Sequence, residues 1–213
     1  MLSPTMFADG RVSLGPARRV VAWTLALLAL TLLTRPAAAD ERIWELLRAG
    51  GQVVLLRHTE TTPGVGDPPG FRIDDCATQR NLSPQGRDDA RRLGEALRHR
   101  GVRVGEVLSS RWCRAVDTAQ LAFERVEVWP ELNSTFHDRS RRDAQTDAVR
   151  RRIAGFRGPD NLFLVGHGSN ILTLTGLHPA QGGMIVVTPG PGGFRIAGQL
   201  EPDAVFSDRI RVR

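Results

Sequence analysis

The chain reads as a single α/β domain, and three observations predict it. A length of 213 residues, 41% apolar and 24% charged, is a globular balance that suits one such domain and is short for two. Two short apolar runs, QVVLL at 52–56 and NLFLV at 161–165, lack the polar alternation of a half-exposed strand, so they read as strands buried on both faces of a parallel sheet. Segments of helical periodicity fall between them, and alternating strands and helices build α/β sheets.

In chain order, a short helix at 42–49 closes at Gly50-Gly51 and feeds the first strand, which ends at Arg57-His58. The Pro- and Gly-rich segment 61–80 reads as a loop, and twenty residues is long for a connection inside a compact domain. Ser83 is a good N-cap and Pro84 fits the first helical position; Ala90, Leu93 and Leu97 mark the buried face and Gly101 stops the helix. A second strand at 102–108 ends at Ser109-Ser110. A helix at 115–123 and a short strand at 126–129 follow. After a loop at 130–138, a polar helix is predicted at 141–156, with Val149, Ile153 and Phe156 facing inward. The strand 161–165 ends at Gly166-His167-Gly168, a short helix covers 169–175, and strands at 184–187 and 194–200 pair through TPGPGG. There are no repeats and no lysine- or arginine-rich patch interleaved with aromatics, so nucleic acid is not an expected partner.

The formal charge of +6 comes from 29 basic residues, all arginine, and the chain has neither lysine nor tyrosine. That excludes Schiff-base, P-loop and Ser–Lys chemistry and any tyrosine acid. Anions must be held by arginine, helped by histidine or backbone amides. Part of the charge sits in an expected leader. Arg11, Arg18 and Arg19 precede fourteen uncharged residues at 20–33, then Ala37-Ala38-Ala39 before Asp40, the pattern of a signal peptide cleaved after Ala39. Fourteen helical residues span about 21 Å, short of a ~30 Å hydrocarbon core; an uncleaved anchor is the alternative. Without residues 1–39 the chain keeps 25 arginines against 22 carboxylates, or +3. The expected location is periplasmic or secreted, with membrane contact only through the leader. An oxidising compartment would permit a Cys76–Cys113 disulfide, with two free thiols as the alternative.

Two strands end in histidine, and a third ends at Ser109-Ser110 followed by Arg111 and Arg114. Ligands of open α/β sheets bind at the carboxyl ends of strands. Two histidines and two arginines converging there make a cationic pocket suited to phosphate. Arginine forks grip its oxygens, one neutral histidine can attack phosphorus, and the other can donate to the equatorial oxygens.

These residues carry a resemblance. Leu56-Arg57-His58-Thr59-Glu60, Leu82-Ser83-x-x-Gly86, Ser109-Ser110-x-x-x-Arg114-Ala115-x-x-Thr118-Ala119 and Val165-Gly166-His167-Gly168 resemble, in order, four motifs of the histidine phosphatase superfamily, the phosphoglycerate-mutase-like proteins. The resemblance covers about residues 52–170 and points to a short exported bacterial member. It implies a three-layer α/β/α sandwich around a mostly parallel sheet, and hydrolysis of a phosphomonoester or phosphohistidine through a phosphohistidine intermediate. His58 would be the nucleophile, Arg57 and Arg114 would bind phosphoryl oxygens, and His167 would complete the pocket and stabilise the transferring group. The partner would be a small phosphorylated substrate. No cofactor or metal is implied, and the histidines show no HxxH or HExxH spacing.

Three departures bear on function. Thr59 replaces the family's usual glycine and is expected to crowd the loop slightly. Arg111-Trp112 replaces Pro-Leu and can bring a third arginine to the rim; Arg80 can reach the phosphate or pair with Asp74 or Asp75. The general acid is the gap: Ser134 stands where one branch has glutamate, and Gly168 where another has aspartate. Asp138 is the favoured candidate, with Glu131, Glu60, Asp74 and Asp75 behind it; the plain alternative for Asp138 is a cap on the helix starting near Arg141. Two function classes follow: an exported phosphatase, or a non-catalytic phosphate- or phosphosugar-binding protein that kept the pocket and lost the acid.

Overall fold

The computed structural model describes residues 35–136 and 138–206, with side chains given from Asp40 onward. The central sheet is built from β1 (Val53–Arg57), β2 (Val104–Ser109), β3 (Glu127–Val128), β4 (Asn161–Gly166), β5 (Met184–Gly190) and β6 (Gly193–Leu200). Their spatial order is β3-β2-β4-β1-β5-β6. The first four of these are parallel neighbours, whereas β5 runs antiparallel to both β1 and β6. The expected parallel runs therefore form the middle of the sheet, and the hairpin closes one edge.

Helices cover both faces. Alternate residues of β1 and β4 point opposite ways. Val54, Leu56, Phe163 and Val165 pack with α1 (Arg35–Ala49), α2 (Pro84–His99), α3 (Cys113–Phe123) and the short α6 (Pro202–Phe206). Val53, Leu55, Leu162 and Leu164 pack against α4 (Arg142–Ala154) and α5 (Gly168–Thr175). This is the three-layer α/β/α sandwich the resemblance implied. Among the described residues, those from Ala39 onward form one compact unit.

The local signals in the sequence account for most boundaries. Ser83 caps α2, its hydroxyl accepting from the Gly86 amide at 2.9 Å, with Pro84 at the first helical position. Several ends move. α1 begins at Arg35, seven residues before the expected start, so the predicted cleavage point after Ala39 falls within this helix; the rest of the expected leader, 1–34, lies outside the described residues. α3 starts two residues early, at Cys113. The hairpin strands are longer than expected because they pair through to Gly190 and Gly193. Phe156, expected on the helix at 141–156, lies just beyond α4 and packs on the same core. α6 had no sequence signal; five residues are too few to show a period.

The long loop is tied down throughout. Thr61 pairs with Leu82 in a β-bridge, and a 3-10 helix spans Cys76–Thr78. Gln79 accepts from the Cys113 amide at 3.0 Å. Cys76 and Cys113 stand in disulfide geometry, their Cα atoms 5.7 Å apart. Among the described residues, no helix is long and apolar enough to cross a membrane.

Candidate active site

The carboxyl ends of β1, β4 and β2 lie side by side because β4 pairs with both others. The chain leaving each strand stays in register for one more residue: the His58 amide bonds the Gly166 carbonyl and the Ser110 amide bonds the Val165 carbonyl, each at 3.0 Å. His58 and His167 are thereby brought to 5.5 Å between ring centres, edge to face. Arg57, His58, Arg114 and His167 all line one cavity of about 480 Å3.

His58 is buried, and its Nδ1 lies 2.8 Å from the Thr59 carbonyl. A carbonyl only accepts, so Nδ1 carries the proton and Nε2 keeps a lone pair. Burial, followed by the charges of Arg114, Arg57 and Arg80, lowers its pKa to about 3, against a smaller opposing effect of the Thr59 bond. The ring is a neutral nucleophile across the working pH range. His167 is held well below its ordinary value by burial, then by His58 and the same arginines. Its Nε2 pairs with the Ser110 hydroxyl at 2.8 Å, and Ser110 Oγ accepts from the Trp112 amide at 3.1 Å. Trp112 and His167 meet edge to face, their ring centres 5.4 Å apart. His167 caps the start of α5, whose N-terminal dipole favours an anion at this wall.

Three guanidinium groups face the cavity. Arg57 donates from Nη1 to the Pro179 carbonyl at 2.8 Å. Arg114 is buried and gives both Nη groups to Asp67, at 2.7 and 3.2 Å. Arg80 donates from Nη1 to the Gly64 carbonyl at 2.7 Å. Three guanidinium groups on the wall of one cavity, beside a neutral histidine, describe a seat for an oxyanion. Burial lowers the pKa of Arg57 and Arg80, and both stay cationic because arginine starts so high.

Asp67 was not anticipated. It lies in the proline-rich loop 61–80, where the sequence assigns it no role. Its carboxylate accepts from Arg114, from Trp112 Nε1 at 2.9 Å and from the Arg80 amide at 3.0 Å. Burial alone would raise its pKa, but the Arg114 and Trp112 bonds, the Arg114 charge and the Arg80 amide together hold it down. The third cation of the pocket is Arg80, not Arg111, which pairs with Asp74 outside it. Thr59 does not crowd the loop: it is buried, its amide donates to Thr118 Oγ1 at 3.1 Å, and the two hydroxyls lie 3.2 Å apart.

The structure does not bring Asp138 to the cavity. Its side chain is exposed and accepts from the Ser140 amide at 2.9 Å, capping the turn before α4. This cap, led by Ser140, lowers its pKa, which suits an acceptor and not a proton donor. The other carboxylates are also engaged elsewhere. Glu60 accepts from the Ser83 hydroxyl, Asp74 and Asp75 pair with Arg111 and Arg72, and Glu131 lines a separate small cleft beneath α5. Among the described residues lining the cavity there is no carboxylate. The titratable group at its mouth is His178, an exposed side chain that the sequence reading left without a role. A Cβ on Gly168 would lie 2.6 Å from His178 Nε2 and 3.2 Å from Arg57 Cζ, so the imidazole stands beside the arginine where a larger residue 168 would collide.

With this geometry in place, the comparisons with known proteins are specific. The model of the histidine phosphatase superfamily, branch 1, matches residues 53–152. No curated protein matches the sequence significantly. Among solved structures, the protein histidine phosphatase SixA complexed with tungstate superposes with a TM-score of 0.50 at 22% identity, covering 71% of this chain and 97% of that one. The phosphoserine phosphatase of Entamoeba histolytica, in complex with 3-phosphoglyceric acid, gives 0.52 at 13% identity, covering 72% and 98%. A SixA protein of Agrobacterium tumefaciens gives 0.50 at 19%, covering 71% and 98%. The family match over residues 53–152 and the shared fold support a place for the chain in the histidine phosphatase superfamily. The matched segment ends before His167, so that residue's assignment rests on the geometry described above.

Proposed function

We propose that the protein is an exported, metal-independent phosphatase that hydrolyses a small phosphomonoester through a phosphohistidine at His58. The observation that carries this reading is the neutral His58 ring, its Nδ1 proton committed to Thr59, in a cavity lined by Arg57, Arg80 and Arg114. Two superfamily structures named as phosphatases, one holding tungstate and one 3-phosphoglyceric acid, share the fold and support the same reading.

In the first step His58 Nε2 attacks phosphorus and the P–O bond to the alcohol breaks. The Nδ1–H bond to the Thr59 carbonyl stabilises the positive charge that develops on the ring. Arg57, Arg80 and Arg114 compensate the equatorial oxygens, and His167 completes the ring of donors. The departing alkoxide needs a proton. His178 stands on the pocket wall and is the donor this reading assigns, in place of Asp138. Water then attacks the phosphohistidine and returns a proton to His178, the P–N bond breaks, and inorganic phosphate leaves with His58 and His178 restored.

Export rests on the leader pattern at 1–39 and agrees with a Cys76–Cys113 disulfide, which forms in oxidising compartments. The absence of a carboxylate among the described residues of the pocket favours one competing reading, a phosphate-binding protein without turnover. p-Nitrophenyl phosphate separates the two, because its leaving group hardly needs an acid. Turnover that is lost in His58→Ala supports the phosphatase; tight vanadate binding with no turnover supports the binding protein.

A further inference from the structure

Most large apolar side chains are buried, yet five among the described residues stand exposed: Val65, Val128, Phe136, Leu172 and Ile196. Three of these five, Val65 at 87%, Phe136 at 51% and Leu172 at 46%, line the mouth of the His58 cavity. They come from three separate elements: the long loop, the segment after β3 and the outer face of α5. Convergence of exposed apolar groups from unrelated elements on one opening marks a binding surface.

Each is held there by the fold. Val65 sits between Gly64, whose carbonyl takes the Arg80 guanidinium, and Gly66. Phe136 follows Thr135, whose amide donates to Asn170 Oδ1 at 3.3 Å, while Asn170 Nδ2 donates to the Asn133 carbonyl at 2.8 Å. Leu172 is on the same helix as Asn170. The cavity's volume of about 480 Å3 is in the range of small-molecule sites and exceeds what phosphate fills. The floor is cationic and the mouth apolar. Among the described residues the mouth also has no carboxylate, the usual acceptor for sugar hydroxyls.

We propose that Val65, Phe136 and Leu172 bind the organic group of the substrate, and that the substrates are phosphate monoesters of an apolar alcohol or phenol, not of a polyhydroxylated sugar. This rests on the phosphatase reading above and assigns its substrate class. The phosphate is placed by charge complementarity with the arginine floor, and the apolar part is then desolvated against the three side chains.

The test compares hexylphosphonate with methylphosphonate, which share the anionic head and cannot be hydrolysed. Calorimetric affinities are measured in the full protein and in a Val65→Ser/Phe136→Ser/Leu172→Ser variant. Burial of the hexyl chain should make hexylphosphonate roughly tenfold tighter or more in the wild type, with the ratio near one in the variant. Equal affinities in the wild type, or an unchanged ratio in the variant, would overturn the proposal. Exposed positions tolerate serine, and a thermal unfolding curve checks that the variant is folded. Turnover of hexyl phosphate against glucose 6-phosphate, both esters of primary alcohols, separates the two levels. Hydrolysis of both at equal kcat/KM sinks the apolar assignment and leaves the phosphatase standing. A tenfold phosphonate ratio without any His58-dependent turnover sinks the phosphatase and leaves the apolar site.

Discussion

Asp67 holds Arg114 from behind, its two carboxylate oxygens 2.7 and 3.2 Å from the two Nη atoms, with both side chains almost completely buried. The pair fixes the guanidinium on the wall of the His58 cavity. Asp67→Asn would leave Arg114 as a buried charge without its counter-ion. Removing one partner of a buried pair costs about 3–5 kcal/mol, so urea unfolding should shift by that order. KM for p-nitrophenyl phosphate should rise together with the stability loss, and Asp67→Glu should recover less than half of either. An Asn variant with unchanged unfolding midpoint and KM would remove Asp67 from the account.

The disulfide ties the same loop from its other end. Cys76 and Cys113 are 37 positions apart, and the chain-entropy model credits a loop of that size with about 4 kcal/mol. Cys76→Ser/Cys113→Ser should lower stability by that order, and unreduced wild-type protein should be 2 Da lighter than its reduced form. Free thiols in protein isolated without reductant would contradict the bridge and weaken the case for export.

The buried histidines set the acid stability. Both native rings stay neutral far below the ordinary value of 6.5, His58 down to about 3. The unfolded chain therefore binds more protons between those limits. Stability is full above about pH 6.5 and falls as pH drops, by up to about 1.4 kcal/mol per pH unit for each ring. Asp67, also lowered, adds its loss only below its ordinary carboxylate range, near pH 4. Denaturation between pH 7.5 and 5 should show this slope, and His58→Gln should reduce it by about one proton. A flat profile over that interval would contradict neutral buried rings.

Gly86 explains a motif residue physically. A Cβ there would lie 1.9 Å from the Glu60 carbonyl oxygen, so backbone would have to move. Gly86→Ala should cost about 1–3 kcal/mol as overpacking and lower kcat, because Glu60 is two residues from His58. Normal unfolding and kcat would show that the contact is dispensable.

His178 can be tested through the leaving group. His178→Gln should leave p-nitrophenyl phosphate turnover within about threefold and slow primary alkyl phosphates by about 10²-fold or more, the usual worth of a general acid. Equal slowing of both esters would assign His178 to binding instead.

Much of this was legible in the sequence because it depends on local order. Strand-end histidines, the Ser83-Pro84 cap and the Arg114 position follow from short motifs and from which strands are buried. β4, central in the sheet, then forces His58, His167 and Arg114 together. The gaps share a cause as well. Asp67 and His178 act through loops whose path is fixed by contacts distant in the chain, such as Asp67 with Arg80 and Arg114, 13 and 47 residues away, and Pro179 with Arg57, 122 residues away, and no local pattern encodes these. Asp138 looked well placed because it follows a strand and a loop, yet its side chain is used to cap the turn at Ser140. The long loop did carry a signal, an aspartate at 67 set between Gly66 and Pro68-Pro69-Gly70.

The most direct test is to trap the phosphoenzyme. Wild-type protein mixed with a radiolabelled phosphomonoester and quenched within milliseconds should carry an acid-labile, base-stable label on the peptide containing His58. The label should be absent in His58→Ala and should decay at the rate of phosphate release. Turnover without any such label, or turnover retained by His58→Ala, would contradict a phosphohistidine mechanism.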